Sequence, residues 1–161
     1  MRTNILLAVD VAPGSPGRHV AAAASVTAEL VRDSADSVIV LHVREFSVPR
    51  LARTMAGHGG SAGRAVVDEI VTGLRARGIH ASGLVREADF GHVAETILAA
   101  AGEFDARLIV LGSRGRNDLP RTPSGGVAGH LLRHATLPVL IAPAGYAECQ
   151  NGPGARVPAG R

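Results

Sequence analysis

The chain has 161 residues, 46% of them hydrophobic but only 2% aromatic, with one cysteine and a formal net charge of +3. That length fits a single domain with a buried core. A core so poor in aromatic rings must be built from Ala, Val, Leu and Ile, which favours buried parallel strands under Ala-rich helices over an aromatic-cored sandwich.

The lone Cys149 excludes a disulfide framework, and no segment approaches the roughly 18 consecutive apolar residues of a membrane span. The opening MRTNILLAVD has a short apolar run closed by Asp10, too short for a signal peptide's apolar region and without a small-residue cleavage site. A cytoplasmic protein without a membrane segment is therefore expected. All the basic side chains are Arg, and they are scattered; Phe46, Phe90, Phe104 and Tyr146 are the only rings on which bases would stack. The basic, aromatic-interleaved pattern of a nucleic-acid binder is absent.

Taken in chain order, residues 5–9 (ILLAV) are a continuous apolar run followed by Pro and Gly, as in a strand buried on both faces. From 18 to 31 the Ala-rich stretch predicts a helix with Val20, Ala24, Thr27 and Val31 inward, capped by Ser15 with Pro16 in its first position. Residues 38–43 (VIVLHV) predict a second strand. The segment 44–63 is longer than most connections and reads as either a functional flap or a mobile loop.

A second helix is predicted over 64–77, with Val67, Ile70, Val71 and Leu74 on one face and Gly78 as its C-cap. IHASGLVRE is a third strand. GHVAETILAAAGEF is a third helix with Val93, Ile97, Leu98 and Ala101 apolar, and ARLIVLG is a fourth strand. A last helix from about Val127 to His134 and the strand PVLIAP complete the series. Strands alternating with helices imply βαβ crossovers, and hence an open five-stranded parallel sheet with helices on both faces, a Rossmann-like α/β fold. In such sheets ligands bind beyond the carboxyl ends of the strands, so Asp10, Val43 and Gly112 are site candidates on topology alone.

The chemistry concentrates in LIVLGSRGRNDLPRTPSGGVAG, where Gly112 and Gly115 are followed, after a nine-residue spacer, by Gly125 and Gly126. Glycines after a strand let the backbone turn and approach a ligand closely. Glycines opening a helix leave free N–H groups and the positive dipole end facing an anion. On spacing alone, a plain turn and a phosphate site remain open alternatives. A GxxxxGK[ST] loop is excluded, because the chain has no lysine, and the GxGxxG of a dinucleotide-binding turn is also absent.

At this stretch the sequence resembles the universal stress proteins, whose ATP-binding members carry G-x2-G-x9-G-[ST] after the fourth strand. Gly112, Gly115 and Gly125 match the spacing; GGVAGHLLRHATLPVLIAP, ILLAVD and VIVLHV resemble the same family, so the likeness covers about 1–144. The resemblance implies one adenine nucleotide alpha hydrolase-like domain over 1–144, with 145–161, rich in Gly, Pro and Ala, as a disordered tail. It further implies an ATP site, where any Mg2+ would arrive with the nucleotide and be held mostly through phosphates and water. Asp10 and Val43 would lie against adenine and ribose with Ala8 nearby, and Leu111 would close the base pocket. Gly112, Arg114 and Gly115 would line ribose and phosphates, and Gly125, Gly126, Val127 and Ala128 would present N–H groups to the triphosphate.

The sequence departs from the signature at Gly126, where Ser or Thr is expected. The lost hydroxyl is one hydrogen bond to a charged phosphate, about 1.5–3 kcal/mol, for which Ser124 or Thr122 would be the nearest substitutes. Neither a Walker lysine nor a carboxylate pair supports fast phosphoryl transfer, so the resemblance implies a nucleotide-occupied switch with at most slow hydrolysis, not an enzyme. The alternative is a nucleotide-independent dimeric interaction module. In both readings PVLIAP is an apolar edge expected to pair across a homodimer. A nucleotidyl-transferring or pyrophosphatase enzyme is disfavoured, because DVAPGSPG resembles neither phosphate loop such enzymes carry. The seven histidines show ligand-like spacing only at His130 and His134, for which complementarity to the helix dipole is the simpler account, and metal ligands are left unassigned.

Overall fold

The computed structural model describes residues 3–10, 17–46, 61–113 and 126–146. In chain order they form β1 (Asn4–Val9), α1 (Arg18–Leu30), β2 (Ser37–Phe46), α2 (Ser61–Ala76), β3 (Ala81–Asp89), α3 (Val93–Glu103), β4 (Ala106–Gly112), α4 (Gly126–His134) and β5 (Val139–Ala142). The strands make one sheet in the order β3-β2-β1-β4-β5, and every pair is parallel. The α/β parallel-sheet expectation is met in full.

The order reverses between β1 and β4. Because parallel crossovers share one hand, the first two helices fall on one face of the sheet and the last two on the other. Alternation along the strands divides the core accordingly. Ile5, Leu7, Val38 and Val40 pack under α1 and α2 with Val20, Val26, Val67 and Val71. Leu6, Ile39, Leu41 and Ile109 pack under α3 and α4 with Ala94, Ile97, Ala101 and Leu131. Small residues let helices and sheet approach closely, which is how a nearly ring-free sequence fills its interior. The buried Thr27 is satisfied inside α1 by donating to the Ala23 carbonyl at 2.8 Å.

Several boundaries differ from the sequence reading. The N-cap of α1 is Gly17, not Ser15: its backbone is extended (φ −61°, ψ 162°) and its carbonyl accepts from Val20 at 2.9 Å. Ser15 and Pro16 lie outside the described residues. The segment read as a loop from 44 contributes residues 44–46 to β2 and 61–63 to α2, and its centre, 47–60, lies outside the described residues. Strand β2 continues because β3 continues beside it, pairing Arg44, Glu45 and Phe46 with Glu87, Ala88 and Asp89. The Arg44 guanidinium lies 4.2 Å from the Phe46 ring centre. Helix α3 buries Ala94 and Ala100 in addition to Ile97 and Ala101, whereas Val93 and Leu98 are half-buried at its flanks.

Gly78 ends α2 as expected. It sits at φ +78°, its N–H donates to Arg75 at 2.9 Å, and the Ile79 N–H reaches back to Leu74 at 3.1 Å. That pair of bonds satisfies two last-turn carbonyls of the helix.

Candidate functional site

The site is built by the lengths of the strands. In register, Ala8 pairs with Leu41 and Leu111, and Val9 pairs with His42. Strand β1 then stops while β2 runs on to Phe46. Val43 is therefore not at a strand end, as the sequence suggested; it lies within β2, level with Asp10, on a stretch that β1 no longer covers. Beside the reversal point this leaves a step in the sheet, walled by β2 on one side and β4 on the other.

Four predicted residues meet on one face of that step. Ala8, Val43 and Ala128 are half-buried around the α3 and α4 core, to which the buried Leu111 belongs. Asp10 follows directly, exposed at the mouth. Side chains this small leave an apolar wall of the kind a planar ring packs against.

Gly112 points the other way. A Cβ built there would run into the carbonyl carbon and oxygen of His19, so glycine is required for the first turn of α1 to cross the end of β4. This gives Gly112 a packing role apart from any contact with a ligand. Just beyond it, the Ser113 N–H donates to the Ala142 carbonyl at 2.7 Å and ties the end of β4 to β5.

Gly126 opens α4 at φ +63°, a conformation that L side chains rarely adopt, and open space lies where a Cβ would stand. Val127 is exposed and Ala128 half-buried in the same first turn. Among the described residues no side chain stands over Gly126, which leaves backbone donors of the helix start accessible. Arg114, Gly115 and Gly125, and with them Thr122 and Ser124, lie outside the described residues, as do Cys149 and all of the tail beyond Tyr146.

Sequence reasoning missed His42. It is buried, and its Nδ1–H donates to the Val9 carbonyl at 3.1 Å, while a Cβ at Gly63 would strike its ring from the side of α2. The carbonyl thus engaged belongs to the residue before Asp10, so His42 fixes the end of β1 and backs the step from behind. A histidine in an otherwise apolar strand, one residue before Val43, was the available signal.

Helix α4 is anchored by Leu131, fully buried, while His130 and His134 stack at 4.3 Å between ring centres. The His130 Nε2 stands 3.4 Å from Glu95 Oε1 of α3. Among the described residues no three His, Cys, Asp or Glu side chains converge as a metal site. No described helix is long and apolar enough to cross a membrane.

Among the described residues, a strong electrostatic perturbation lies where the strands begin. Asp36 accepts hydrogen bonds from Thr3, Ser34 and Arg107, and the Thr3 hydroxyl, followed by the Arg107 guanidinium, holds its carboxyl well below the usual carboxylate range.

Fold and site define an α/β protein whose crevice opens where a parallel sheet reverses its strand order. The family model described as universal stress protein family matches residues 1–143, and the chain belongs to that family. Among solved structures, a universal stress family protein from Burkholderia pseudomallei is 28% identical, with a TM-score of 0.64 over 88% of this chain and 96% of that one. An Arabidopsis thaliana member with AMP bound is 21% identical, with a TM-score of 0.67 over 88% and 91% of the two chains. An Archaeoglobus fulgidus member in complex with dAMP is 20% identical, with a TM-score of 0.62 over 87% and 97%. None of the curated proteins matches the chain.

Proposed function

We propose that this protein binds an adenine nucleotide, with ATP as its ligand, in the step between β1, β2 and β4, and that occupancy acts as a regulatory signal in a stress response. The observation that carries the reading is the meeting of Ala8, Val43, Leu111 and Ala128 on one face, beside a helix that opens with Gly126. Adenine would lie on the apolar wall, with Asp10 at the ribose. The triphosphate would run toward the first turn of α4, where Val127 and Ala128 N–H groups supply charge-assisted hydrogen bonds. Three solved relatives carry AMP, dAMP or cAMP, which supports an adenine nucleotide as the class.

Mg2+ would arrive with ATP and be held by phosphates and water. The reading is of a binding protein, not an enzyme, because the sequence carries no Walker lysine. Arg114, Gly115 and Gly125 are assigned to the phosphates by the family signature, and a nucleotide-binding domain over 1–144, followed by a tail, is part of the same proposal. So is a cytoplasmic homodimer through β5, where Val139, Leu140 and Ile141 remain half-buried at an open sheet edge.

Calorimetric titration of nucleotide-stripped protein with Mg2+ and ATP, against AMP and buffer, tests this. Binding in the micromolar range or weaker is expected. No heat and no thermal shift at millimolar ATP would refute the nucleotide reading, and turnover of several ATP per second would refute the non-enzymatic one. A second reading, a dimeric interaction module that needs no nucleotide, is favoured specifically by Gly126, which lacks the hydroxyl of the signature. It predicts the same dimer with no response to ATP.

A further inference from the structure

At the opposite edge of the sheet, where the strands begin, a cavity of about 450 Å³ opens between the C-terminal ends of α1 and α2. Its lining includes Glu29, Arg32, Asp36, Arg77, Ile79 and His80. The volume falls in the range of small-molecule sites, about 300–1,000 Å³.

The charges of this cavity are unevenly committed. Asp36 is held by Thr3, Ser34 and Arg107, and Glu29 accepts from the Tyr146 hydroxyl at 2.6 Å. The side chains of Arg32, Arg77 and His80 make no hydrogen bond or ion pair with any described residue. An arginine after a helix C-terminus ordinarily serves the exposed carbonyls of the last turn. Here neither guanidinium reaches one, although neighbouring Arg75 does donate to the Ala81 carbonyl at 2.9 Å. Arg107, which does not line the cavity, already neutralises Asp36, so Arg32 and Arg77 stand against Glu29 and the negative ends of two helix dipoles.

We propose that this cavity binds a compact dianion, a phosphate monoester or a dicarboxylate, between the guanidinium groups of Arg32 and Arg77 with His80 at the rim. The planar fork of arginine matches the paired oxygens of either group, and two forks facing one cavity favour two negative charges over one. Glu29 and Asp36 set the limit: they repel an anion that extends past the arginines, which selects a small ligand over a polyanion. The site stands at the other end of the strands from the nucleotide crevice and is independent of whether that crevice binds ATP.

The test follows backbone amides and arginine Nε–H signals of the full chain by NMR during titration with inorganic phosphate and, separately, succinate, against chloride at equal ionic strength. Saturable shifts at the Arg32 and Arg77 Nε–H and at the Gly78 amide are expected, with phosphate and succinate distinguishing the two ligand sources. The double variant Arg32→Gln, Arg77→Gln should weaken this response at least about tenfold, whereas Arg→Lys at both positions should restore only part of it. Both arginines are exposed, so the fold should survive, and an unchanged melting temperature checks this. Phosphate shifts confined to Gly126 and Val127, a response that does not saturate, or one that persists in the double Gln variant would each overturn the proposal.

Discussion

The two edges of the sheet are held together by different means. Where the strands begin, the contacts are between long polar side chains: Asp36 gathers Thr3, Ser34 and Arg107, and Asn4 donates to the Phe104 carbonyl at 2.6 Å. Where the strands end, backbone packs against backbone: His19 lies on Gly112, and α4, opened by a glycine, seats Ala128 on the core that Ala8 also joins. Around Asp36 the polar groups are engaged with one another. An edge closed by glycine and alanine keeps its backbone donors accessible, and a ligand needs that accessibility.

The comparison breaks most directly at Gly112. Gly112→Val forces two branches into the His19 backbone, and a loss of about 3 kcal/mol or failure to fold is expected in urea unfolding. A loss under about 1 kcal/mol would mean that α1 shifts aside freely, and the contrast between the edges would fail. Next comes Leu131→Ala, which empties the buried site beneath α4 and should lower stability by about 3 kcal/mol, read by thermal or denaturant melting.

The opposite edge is tested with Asp36→Asn, expected to lose about 1–2 kcal/mol near neutral pH, discounted for the partial exposure of Arg107. The folded carboxyl titrates below its unfolded value of about 3.9, so its contribution is present above that pH and disappears as pH falls toward the folded value. Stability curves of the two proteins should therefore converge between about pH 5 and pH 2, and a gap that stays constant in acid would rule out an ionised Asp36 as its source.

The smallest effect separates strain from chemistry at the other edge. Gly126→Ala and Gly126→Ser each place a Cβ at φ +63° and should cost about 1 kcal/mol alike. Only Ser adds a hydroxyl, so under the nucleotide reading it should bind ATP about tenfold more tightly than Ala in calorimetry. Equal affinities would show that the hydroxyl does not reach a phosphate from this helix start.

The elements most legible in the sequence are those with apolar runs between clear breakers. The strand over 106–112 and the Gly78 cap coincide with the structure, because an apolar run read in full and a glycine in the left-handed region leave little choice. The end of β2 was hidden, since Arg44, Glu45 and Phe46 are polar or bulky and owe their strand conformation to β3 beside them. Most of the candidate residues were chosen by resemblance, but their sharing of a face depends on register: Ala8 pairs with both Leu41 and Leu111, and Val43 falls on the same face two residues after Leu41. Periodicity within one strand holds no such information. For the same reason the packing role of Gly112 was not legible: its missing side chain makes room for a helix nearly a hundred residues earlier in the chain.

Helix α1 buries Val20, Ala22, Ala23, Val26, Thr27 and Ala28, whereas in α4 only Leu131 is buried. One such side chain contributes about 2–3 kcal/mol, less than the global stability of an ordinary domain. The amides of α4 should accordingly exchange with solvent through a local opening that leaves the rest of the sheet intact. A ligand seated on the first turn of α4 would then slow that exchange, so the helix that receives it would report occupancy by its lifetime in the closed form, without any change in the shape of the protein.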